Sequence, residues 1–552
     1  MYDKIIKTIL LILIFTILLL SETAIPDTFD LRNYNGTNFV TSIKSQQGGT
    51  CWTHGTMASI EGNLLMTGTW SAVGDTGEPN LAEYHLDWWN GFNRFYNKDI
   101  FPDSGEGLEV HYGGDYRVST AYLSRGEGAV RDIDGQSFDT APKRDSASYH
   151  YYYPRNVEWY IIDSALTNID TVKRAIMEHG VLATCYYSNS SFYDGNIFYQ
   201  PDSDSNDPNH SVAIVGWDDN KETQADSAGA WLIKNSWGTY NGDNGYYWIS
   251  YYDKHACKHD QMGAVSFQDV ELMKYDTIYF HDYHGWRETK SDVNKAFNCF
   301  VSENNPAQFE VITAVSFFVA EDKVNYTIKI YDVFDGTSLI DLLIEKSGYV
   351  EHTGFHTINL NNSDTLTKND SFYVLVEFDK GGHPYDCTSE IPVLLDQKPN
   401  QFANDYSKFK SNMSNTIVRS KANPGESYYF DGGLIHDLYD FDSTANFCIK
   451  VLINYIYICT PPTLPTNYKL FQNYPNPFNS ATTIEYSIPK NSQVEISIYD
   501  IAGNKITTLL NETKQIGNYK IQFDGSKYAS GIYFYQLRTT GYFEVRKMVL
   551  VK

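Results

Sequence analysis

The chain has 552 residues, a length that suggests roughly three or four domains. It carries 43 basic and 68 acidic side chains, so its net charge is −25 at neutral pH. Such an acidic surface repels nucleic acid and anionic lipid, which argues against nucleic-acid binding and suits a protein that stays soluble outside the cell.

The first 24 residues have the pattern of a secretory signal peptide. Lys4 and Lys7 form a positive start, and an apolar core at 9–20 follows. This core is shorter than the ~20 residues that a membrane-spanning helix needs. Cleavage is expected near Ser21 or Ala24. A single N-terminal anchor helix is the alternative.

Seven cysteines are present, and an odd number is informative in an exported protein. The odd cysteine is either an intermolecular link or a free, reactive thiol. No pair has the C-x-x-C spacing of a zinc ribbon, and the density is too low for a disulfide scaffold. The seven are Cys51, Cys185, Cys257, Cys299, Cys387, Cys448 and Cys459.

Residues 25–267 mix helical and strand patterns. Apolar residues at helical spacing predict a helix that begins near Cys51, namely Met57, Ile60 and Leu64. Residues 172–177 predict a second helix. From Ser211 onward, short apolar runs broken by Gly, Asn and Asp predict strands. Helices first and strands later predict an α+β domain.

Residues 268–458 read almost entirely as strands, because apolar or alternating runs are separated by turn residues. This pattern predicts a β-sandwich. A stiff Pro/Thr linker at 459–467 leads to a third, smaller all-β region at 468–552. The predicted fold class is therefore multidomain, with an α+β domain, a β-sandwich and a small β domain in that order.

Cys51 has the setting of a nucleophile. A cysteine attacks carbonyl groups as its thiolate, and at an ordinary pKa of about 8.5 only a small fraction is ionised at neutral pH. Cys51 follows a Gly-Gly-Thr turn and opens the predicted helix. The free N–H groups and the dipole of a helix N-terminus stabilise such an anion.

A thiol nucleophile also needs a base, commonly a histidine that an Asn or Asp holds in the correct tautomer. Of 14 histidines, His210 stands where a loop enters an apolar strand, a position that holds the ring rigidly beside a cleft. Asn235 ends another strand and can hold the His210 ring. Trp237 can cover their contact and keep water away.

This order of residues resembles the papain-like cysteine peptidases. The resemblance implies an α+β fold with a helical lobe and a β-barrel-like lobe, and peptide-bond hydrolysis that needs no cofactor. The matching motifs are Cys51-Trp52, Tyr112-Gly113-Gly114, Asn209-His210 and Asn235-Ser236-Trp237-Gly238.

The resemblance also assigns roles to individual residues. Cys51 is then the nucleophile, His210 the base and later the acid, and Asn235 the residue that orients His210. Gln46 and the Cys51 N–H would form the oxyanion hole, with Gln47 as the alternative glutamine. The residues expected to bind substrate are Gly113, Gly114 and Trp237.

The chain departs from the family pattern at several points. Gly48 stands where the family usually has a cysteine, so that disulfide is not expected. His54 replaces an aromatic residue and is expected to pack in the helix, with a second proton donor as the alternative. The few residues before Ile25 leave no room for a long inhibitory propeptide, so another restraint is expected, such as export itself. An insertion at 90–109 leaves endopeptidase and exopeptidase activity both open.

Other candidate sites are weaker. Cys257 with His255 and His259 could hold a metal, but four ligands are not evident, and no metal site is predicted. The acidic stretch 202–209 lacks the spacing of an EF-hand and predicts a solvated loop. The sandwich cysteines can supply one disulfide of open pairing: Cys299, Cys387 and Cys448.

Residues 268–458 resemble the lectin-like β-sandwich that follows secreted bacterial papain-like peptidases. The matching pieces are Tyr275-Asp276, Gly285-Trp286, residues 423–428 and residues 446–450. The family name implies carbohydrate binding, and aromatic side chains can stack on sugars, although packing is the default for an aromatic residue in a strand. A spacer or a substrate exosite is the alternative role.

Residues 468–552 resemble the small, immunoglobulin-like C-terminal sorting domain of the type IX secretion system. The matching motifs lie at 470–479, 499–503, 531–533 and 547–552. The resemblance implies export through the periplasm and the outer membrane of a Gram-negative bacterium, with the type IX machinery as a partner. The protein would then be secreted or held at the cell surface.

The sequence therefore predicts a secreted papain-like cysteine peptidase that acts on proteins or peptides. The alternative is a cell-surface adhesin or glycan-binding protein whose papain-like domain is not catalytic. A complete set of Cys51, His210 and Asn235 argues against that alternative.

Overall fold

The computed structural model describes residues 24–100, 106–302, 308–360, 365–366, 371–394, 416–457 and 465–552. The predicted signal peptide, except Ala24, and the first six residues of the predicted linker lie outside these ranges. Among the described residues, no helix is long and apolar enough to cross a membrane. Contacts divide the chain into two compact units, Met1–Tyr457 and Ile458–Lys552.

The described helices lie almost entirely in the first half of the chain. They are α1 Cys51–Thr67, α2 Thr69–Ala72, α3 Glu83–Trp89, α4 Tyr116–Ser124, α5 Asp132–Gly135, α6 Ile169–His179 and α7 Leu438–Phe441. The two predicted helices are confirmed as α1, which begins at Cys51, and α6, which contains residues 172–177. α1 ends where Gly68 adopts a φ of 70° and its N–H donates to the Leu65 carbonyl, a common glycine C-cap.

The strands of the α+β region form one antiparallel series, β2-β9-β3-β6-β7-β8, with β5 and β4 continuing beyond β8 and β1 paired with β6. Their ranges are β1 Thr28–Asp30, β2 Tyr152–Tyr160, β3 Leu182–Tyr186, β4 Tyr193–Asp194, β5 Ile197–Phe198, β6 His210–Asp218, β7 Ala230–Lys234, β8 Tyr246–Ser250 and β9 Ala264–Leu272. The apolar runs predicted as strands after Ser211 are confirmed as β6, β7 and β8.

α1 packs tightly against this sheet because two of its residues are glycines. A Cβ at Gly55 would lie 2.3 Å from the Ser211 Oγ of β6, and a Cβ at Gly62 would lie 2.6 Å from Val181 Cγ2. Any larger residue would push the helix away from the strands. The close packing therefore positions Cys51, at the first residue of α1, against the start of β6.

The next region is a two-layer β-sandwich, as predicted. Its strands are β10 Thr277–Tyr279, β11 Glu288–Lys290, β12 Lys295–Val301, β13 Gln308–Val319, β14 Val324–Phe334, β15 Leu339–Val350, β16 Gly354–Asn359, β17 Thr365–Leu366, β18 Ser371–Phe378, β19 His383–Asp386, β20 Ser389–Ile391, β21 Thr416–Val418, β22 Ser427–Asp431, β23 Leu434–Asp437, β24 Asn446–Phe447 and β25 Ile449–Tyr457. One layer has the order β15-β14-β18-β12-β22-β23, and the other contains β10-β25-β13-β16.

The sandwich and the α+β region share a sheet. β16 pairs with β2 from Gly354 opposite Glu158 to His356 opposite Asn156, so the second sandwich layer continues into the α+β region. The disulfide considered for the sandwich cysteines is not formed, since Cys299, Cys387 and Cys448 carry free thiols. They lie on separate elements: Cys299 is in β12, Cys387 follows β19, and Cys448 lies between β24 and β25.

The C-terminal unit is all-β, as predicted. Its strands are β26 Lys469–Leu470, β27 Ala481–Ile488, β28 Ser492–Tyr499, β29 Lys505–Lys514, β30 Gly517–Asp524, β31 Gly531–Arg538 and β32 Phe543–Leu550. They form two sheets, β26-β27-β30 and β29-β28-β31-β32. Alternating inward side chains such as Ile484, Ile496 and Tyr535 make its own buried core.

Candidate active site

The loop that leads into Cys51 is tied to the segment that carries Asn235. The Gln46 N–H donates to the Ser236 carbonyl over 2.7 Å, and Ser45 forms an antiparallel bridge with Trp237. Cys51 is completely buried at the first position of α1. Two stretches that are far apart in sequence therefore meet beside the thiol.

His210 and Asn235 form the hydrogen bond that the sequence predicts. His210 Nε2 lies 2.9 Å from Asn235 Oδ1, and the Asn235 amide is oriented because its Nδ2 donates to Asn241 Oδ1 over 3.0 Å. The Nε2 nitrogen therefore carries the proton. Trp237 stacks on the imidazole with ring centroids 4.5 Å apart, which covers this contact.

The remaining nitrogen of His210 is the one available for proton transfer. Nδ1 is buried and has no hydrogen-bond partner among the described residues. Cys51 and Gly55 lie one turn apart on the same face of α1, and Gly55 packs directly against Ser211, the neighbour of His210. The start of α1 therefore lies beside the start of β6, the strand that His210 begins.

Of the two glutamines considered for the oxyanion hole, Gln46 is the one inside the site. It is fully buried, its Oε1 accepts from Ser236 Oγ over 2.6 Å, and its Nε2 donates to the Gly48 carbonyl over 3.0 Å. Gln47 is exposed, and its backbone N–H donates to Tyr84 Oη. The Gln46 amide can therefore face the Cys51 N-terminus of α1, whereas the Gln47 side chain points to solvent.

Gly113 lies against Val393 and Leu394, and Gly114 lies against Trp52, the residue after Cys51. A Cβ at Gly114 would lie 2.7 Å from the Trp52 ring, so only glycine fits there without displacement. The Gly114 carbonyl accepts from the Leu394 N–H over 3.0 Å. The two predicted substrate-binding glycines thus form a strand edge that already has a backbone partner from the sandwich region.

Burial sets the charge state of His210. Desolvation lowers the pKa of His210 to about 4, although the hydrogen bond that His210 donates to Asn235 opposes this shift. The imidazole is therefore neutral over the physiological range in this arrangement. His54, predicted to pack in the helix, is also buried, and its Nδ1 lies 2.9 Å from the Thr50 carbonyl oxygen.

A buried ion cluster holds the loop before Cys51, and sequence reasoning did not assign it. Lys44 Nζ lies 2.6 Å from Glu61 Oε1 and 2.5 Å from Glu83 Oε1. Burial alone would lower the pKa of Lys44, but the two carboxylates outweigh it and raise the pKa. The available signal was Lys44 itself, two residues before Gln46, together with an acidic residue in each adjoining helix.

An open pocket of about 420 Å³ lies on the Trp237 side of the site and was not predicted. Besides Trp237, its lining includes Ser188, Asn189, Tyr193, Asn241 and Tyr247. A concave surface with a few convergent polar groups is typical of ligand-binding sites. The pocket adjoins Trp237, whose ring stacks on His210.

The weaker candidates do not converge on a site. Cys257 and His255 have separate partners, since the Cys257 N–H donates to Thr184 Oγ1 and His255 Nε2 contacts the Asn206 carbonyl. In the acidic stretch, Asp204 Oδ1 accepts from the neighbouring Asn206 N–H, as in an ordinary loop. The described part of the 90–109 insertion contacts the sandwich region, where Asn97 Nδ2 donates to the Arg419 carbonyl.

One group of potential metal ligands does converge among the described residues. Ligand atoms of Asp99, His284 and Asp386 lie within 4.8 Å of one another. These atoms have protein partners, because Ser420 Oγ donates to Asp386 Oδ1 and lies 2.8 Å from His284 Nδ1, while Asp99 Oδ2 accepts from the Lys421 N–H. The cluster links the insertion to the sandwich, and we assign no ion to it.

Three separate regions of the chain match models of protein families. Residues 125–267 match the model of the papain family cysteine protease, residues 278–452 match the lectin like domain, and residues 472–552 match the secretion system C-terminal sorting domain. The protease match includes His210 and Asn235, whereas Cys51 precedes it. The chain therefore carries a papain-family cysteine protease domain, a lectin-like domain and a sorting domain.

Individual relatives agree with this assignment. A cathepsin L-like peptidase of Aedes aegypti is 25% identical over 232 residues, which cover 41% of this chain and 59% of the relative. Cathepsin K of Mus musculus is 23% identical over 241 residues, which cover 43% of this chain and 63% of the relative. The chain thus spans about 60% of the length of these curated relatives.

A solved structure extends the likeness into the sandwich. The cysteine protease and lectin-like domains of Cwp84, a surface layer associated protein of Clostridium difficile, are 23% identical to this chain with a TM-score of 0.57. The match covers 79% of this chain and 89% of that one. At this identity the match establishes the shared fold of the two consecutive domains.

Proposed function

We propose that the papain-family protease domain of this chain is an active cysteine-type peptidase that hydrolyses peptide bonds in proteins or peptides. The observation that carries the proposal is the hydrogen bond of His210 Nε2 to Asn235 Oδ1 under the Trp237 ring, which leaves Nδ1 as the reactive nitrogen. Cys51 opens the helix that packs against the His210 strand. These groups are the nucleophile, the base and the orienting residue of thiol acyl transfer.

The acylation step uses these groups in turn. His210 Nδ1 takes the proton of the Cys51 thiol, and the thiolate attacks the substrate carbonyl carbon. The developing oxyanion accepts hydrogen bonds from the Cys51 N–H and from Gln46 Nε2, one of whose two N–H groups is donated to the Gly48 carbonyl. The His210 imidazolium then donates its Nδ1 proton to the leaving amine, and the acyl group remains on Cys51.

Deacylation reverses the role of the histidine. Neutral His210 takes a proton from water through Nδ1, and the hydroxide oxygen attacks the thioester carbon. The tetrahedral intermediate collapses, Cys51 leaves as a thiolate, and the acid product is released. Asn235 Oδ1 accepts from His210 Nε2–H throughout and stabilises the imidazolium when it forms.

The sorting domain and the lectin-like domain concern the location and the binding partners of this activity. The sorting-domain match supports export by the type IX secretion machinery, through the periplasm and outer membrane of a Gram-negative bacterium, to a secreted or cell-surface location. Carbohydrate binding through the lectin-like domain rests on the family resemblance alone. A glycan array probed with the full chain tests it, and a chain that binds no glycan above background removes that role.

The test of the peptidase proposal is a matched set of thiol variants of the full chain. Wild type, Cys51→Ala and Cys299→Ala are incubated with unfolded casein and with a peptidyl epoxide probe under reducing conditions. Cys299 is a suitable control because its thiol is free and lies in β12 of the sandwich. Wild type and Cys299→Ala should degrade casein and take up the probe, whereas Cys51→Ala should do neither.

Two results would contradict the proposal. Casein degradation by folded Cys51→Ala at the wild-type rate would place the activity elsewhere. An inert but folded wild type that takes up no probe at any pH from about 4 to about 9 would favour the non-catalytic, adhesin-like alternative.

A further inference from the structure

A later segment of the same chain, which ends at Leu394, lies against Cys51 and Gly114. An antiparallel bridge joins Gly114 to Leu394, in which the Leu394 N–H donates to the Gly114 carbonyl over 3.0 Å. The Leu394 carbonyl oxygen lies 3.9 Å from Cys51 Sγ. An extended peptide that pairs with a strand edge uses the same backbone groups. Leu394 therefore sits where a bound peptide backbone would run past the thiol.

The side chains of this segment fill the space around the two glycines. Leu394 is fully buried and belongs to the same hydrophobic cluster as Cys51 and Trp52. A Cβ at Gly113 would lie 2.2 Å from Val393 Cγ1. No second chain can pair with the Gly114 carbonyl or pass over Gly113 while Val393 and Leu394 remain there.

The segment is anchored at its start to the sandwich. It continues from β20, which pairs with β21 from Ser389 opposite Val418 to Ile391 opposite Thr416. Arg287 Nε donates to Ser389 Oγ over 3.0 Å. Ile391 and Val418 are both buried in the cluster that contains Cys51.

The strand paired with it is anchored to the protease domain. After β21, the Arg419 carbonyl accepts from Asn97 Nδ2 over 3.1 Å, and the Lys421 N–H donates to Asp99 Oδ2 over 2.7 Å. Arg419 also forms an ion pair with Glu106. Two fixed strands hold Val393 and Leu394 at the cleft, which gives the segment a high effective concentration against any free peptide.

We propose that residues 389–394 are an autoinhibitory segment, supplied by the lectin-like region, that occupies the peptide-binding edge at Gly113 and Gly114 and must be displaced before substrate binds. The proposal deepens the proposed function, since it concerns access to the same cleft. The apparent affinity for peptide is then the intrinsic affinity reduced by the small fraction of molecules whose segment is displaced. The burial of His210 fits this closed state, because water that would favour the imidazolium is excluded.

The test measures peptide binding separately from hydrolysis. A fluorescein-labelled casein decapeptide is titrated into the full chain carrying Cys51→Ala, alone or combined with Leu394→Ala. Removing the buried leucine side chain should weaken the segment and lower the peptide Kd by at least about 10-fold. Ile417→Ala is the matched control, because Ile417 lies on β21 but is 49% exposed, and it should leave the Kd unchanged.

A second variant and a second measurement guard against loss of folding. Val393→Ala, at a half-buried position, should act in the same direction with a smaller effect. Thermal unfolding checks that each variant is folded. In hydrogen exchange of the Cys51→Ala chain, the Leu394 amide should be protected without peptide and should lose its protection when saturating peptide is added.

Each outcome separates this proposal from the peptidase proposal. An unchanged Kd in the folded Leu394 and Val393 variants, or no binding by any of them, overturns the autoinhibitory segment even if wild type degrades casein. A Leu394 amide that stays protected with peptide bound also overturns it. Tighter binding in both variants supports the segment, and does so even if wild type proves unable to hydrolyse casein.

Discussion

Around His210, the candidate site is polar. His210 and Asn235 are buried there and held by directional hydrogen bonds, and Trp237, which stacks on His210, lines an open pocket of about 420 Å³. The groups proposed to do chemistry all belong to the protease domain. Their positions are set by strands β6 and β7, which are neighbours in one sheet.

Around Gly113 and Gly114, by contrast, the structure is apolar and filled. Gly113 and Gly114 form an edge that Val393 and Leu394 cover, and Leu394 lies 343 positions after Cys51 in the chain. The difference teaches that the positions of the proposed catalytic residues and their access to substrate depend on different parts of this molecule. The protease domain sets the positions, and the lectin-like region supplies the residues that cover Gly113 and Gly114.

Among the variants, replacement of His210 should lower the proposed peptidase activity most. His210→Ala removes the base, so kcat/KM for a peptide substrate should fall by about 10⁴-fold, as for residues that act together in a catalytic unit. The measurement is steady-state hydrolysis of a fluorogenic peptide by the full chain. His436→Ala, in strand β23 of the sandwich, is the control and should keep wild-type kcat/KM. A loss below about 10-fold in folded His210→Ala would exclude His210 as the base.

Acidification should show how strongly the protein buries His210 as a neutral ring. Its folded pKa of about 4 lies below the ordinary 6.5, so the neutral ring contributes stability in full above pH 6.5, and that contribution is lost as pH falls toward 4. The loss amounts to about 3 kcal/mol.

Urea unfolding measures this contribution at about pH 7.5 and about pH 4.5. Wild type should lose more free energy of unfolding on acidification than His210→Gln, which cannot titrate at this position. Equal losses in the two proteins would show that His210 is not buried as a neutral ring.

Replacing Asn235 should lower the peptidase activity less than replacing His210. Asn235→Ala keeps the base but frees the ring to rotate, so kcat/KM should fall by about 30-fold. Asn241→Ala only releases the outer contact to Asn235 Nδ2 and should cost about 3-fold. Steady-state kinetics rank the two variants, and a larger loss for Asn241→Ala would contradict the orienting role of Asn235.

Adding one methyl group at Gly113 should test how closely Val393 packs against that residue. Gly113 has a φ of 92° and lies against Val393, whereas Gly336 has the same φ of 92° and no atom within 4 Å of a Cβ. Both Gly→Ala changes strain the backbone, by about 1 kcal/mol each. Gly113→Ala should cost at least about 1 kcal/mol more, because its Cβ overpacks the segment. Urea unfolding compares them, and equal costs would mean that Val393 does not rest on Gly113.

Patterns within short stretches of the sequence predicted many of the helices and strands. α1 and α6 follow from apolar residues at helical spacing, and β6, β7 and β8 from apolar runs between turn residues, because burial on one face imposes a period on the sequence. The sheet shared by β16 and β2 was not foreseen. Pairing between distant strands depends on which edges are left free, and no periodicity records it.

The site was predictable where its residues stand at the ends of such elements. Cys51 begins a helix, His210 begins a strand, and Asn235 directly follows one. The choice between Gln46 and Gln47 could not be made from sequence, because adjacent residues differ only in the direction of their side chains. The structure shows that Gln46 is buried and accepts a hydrogen bond from Ser236, which supports its proposed role.

The amino-acid sequence by itself determined which residues are candidates for catalysis, since Cys51, His210 and Asn235 lie in short motifs at the ends of helices and strands. It also determined the order of the three domains, because each has its own pattern. Only the tertiary structure decided that Leu394 reaches Cys51. That contact arises from the pairing of β20 with β21 and from buried apolar contacts between domains, which act through space and leave no local pattern in the chain.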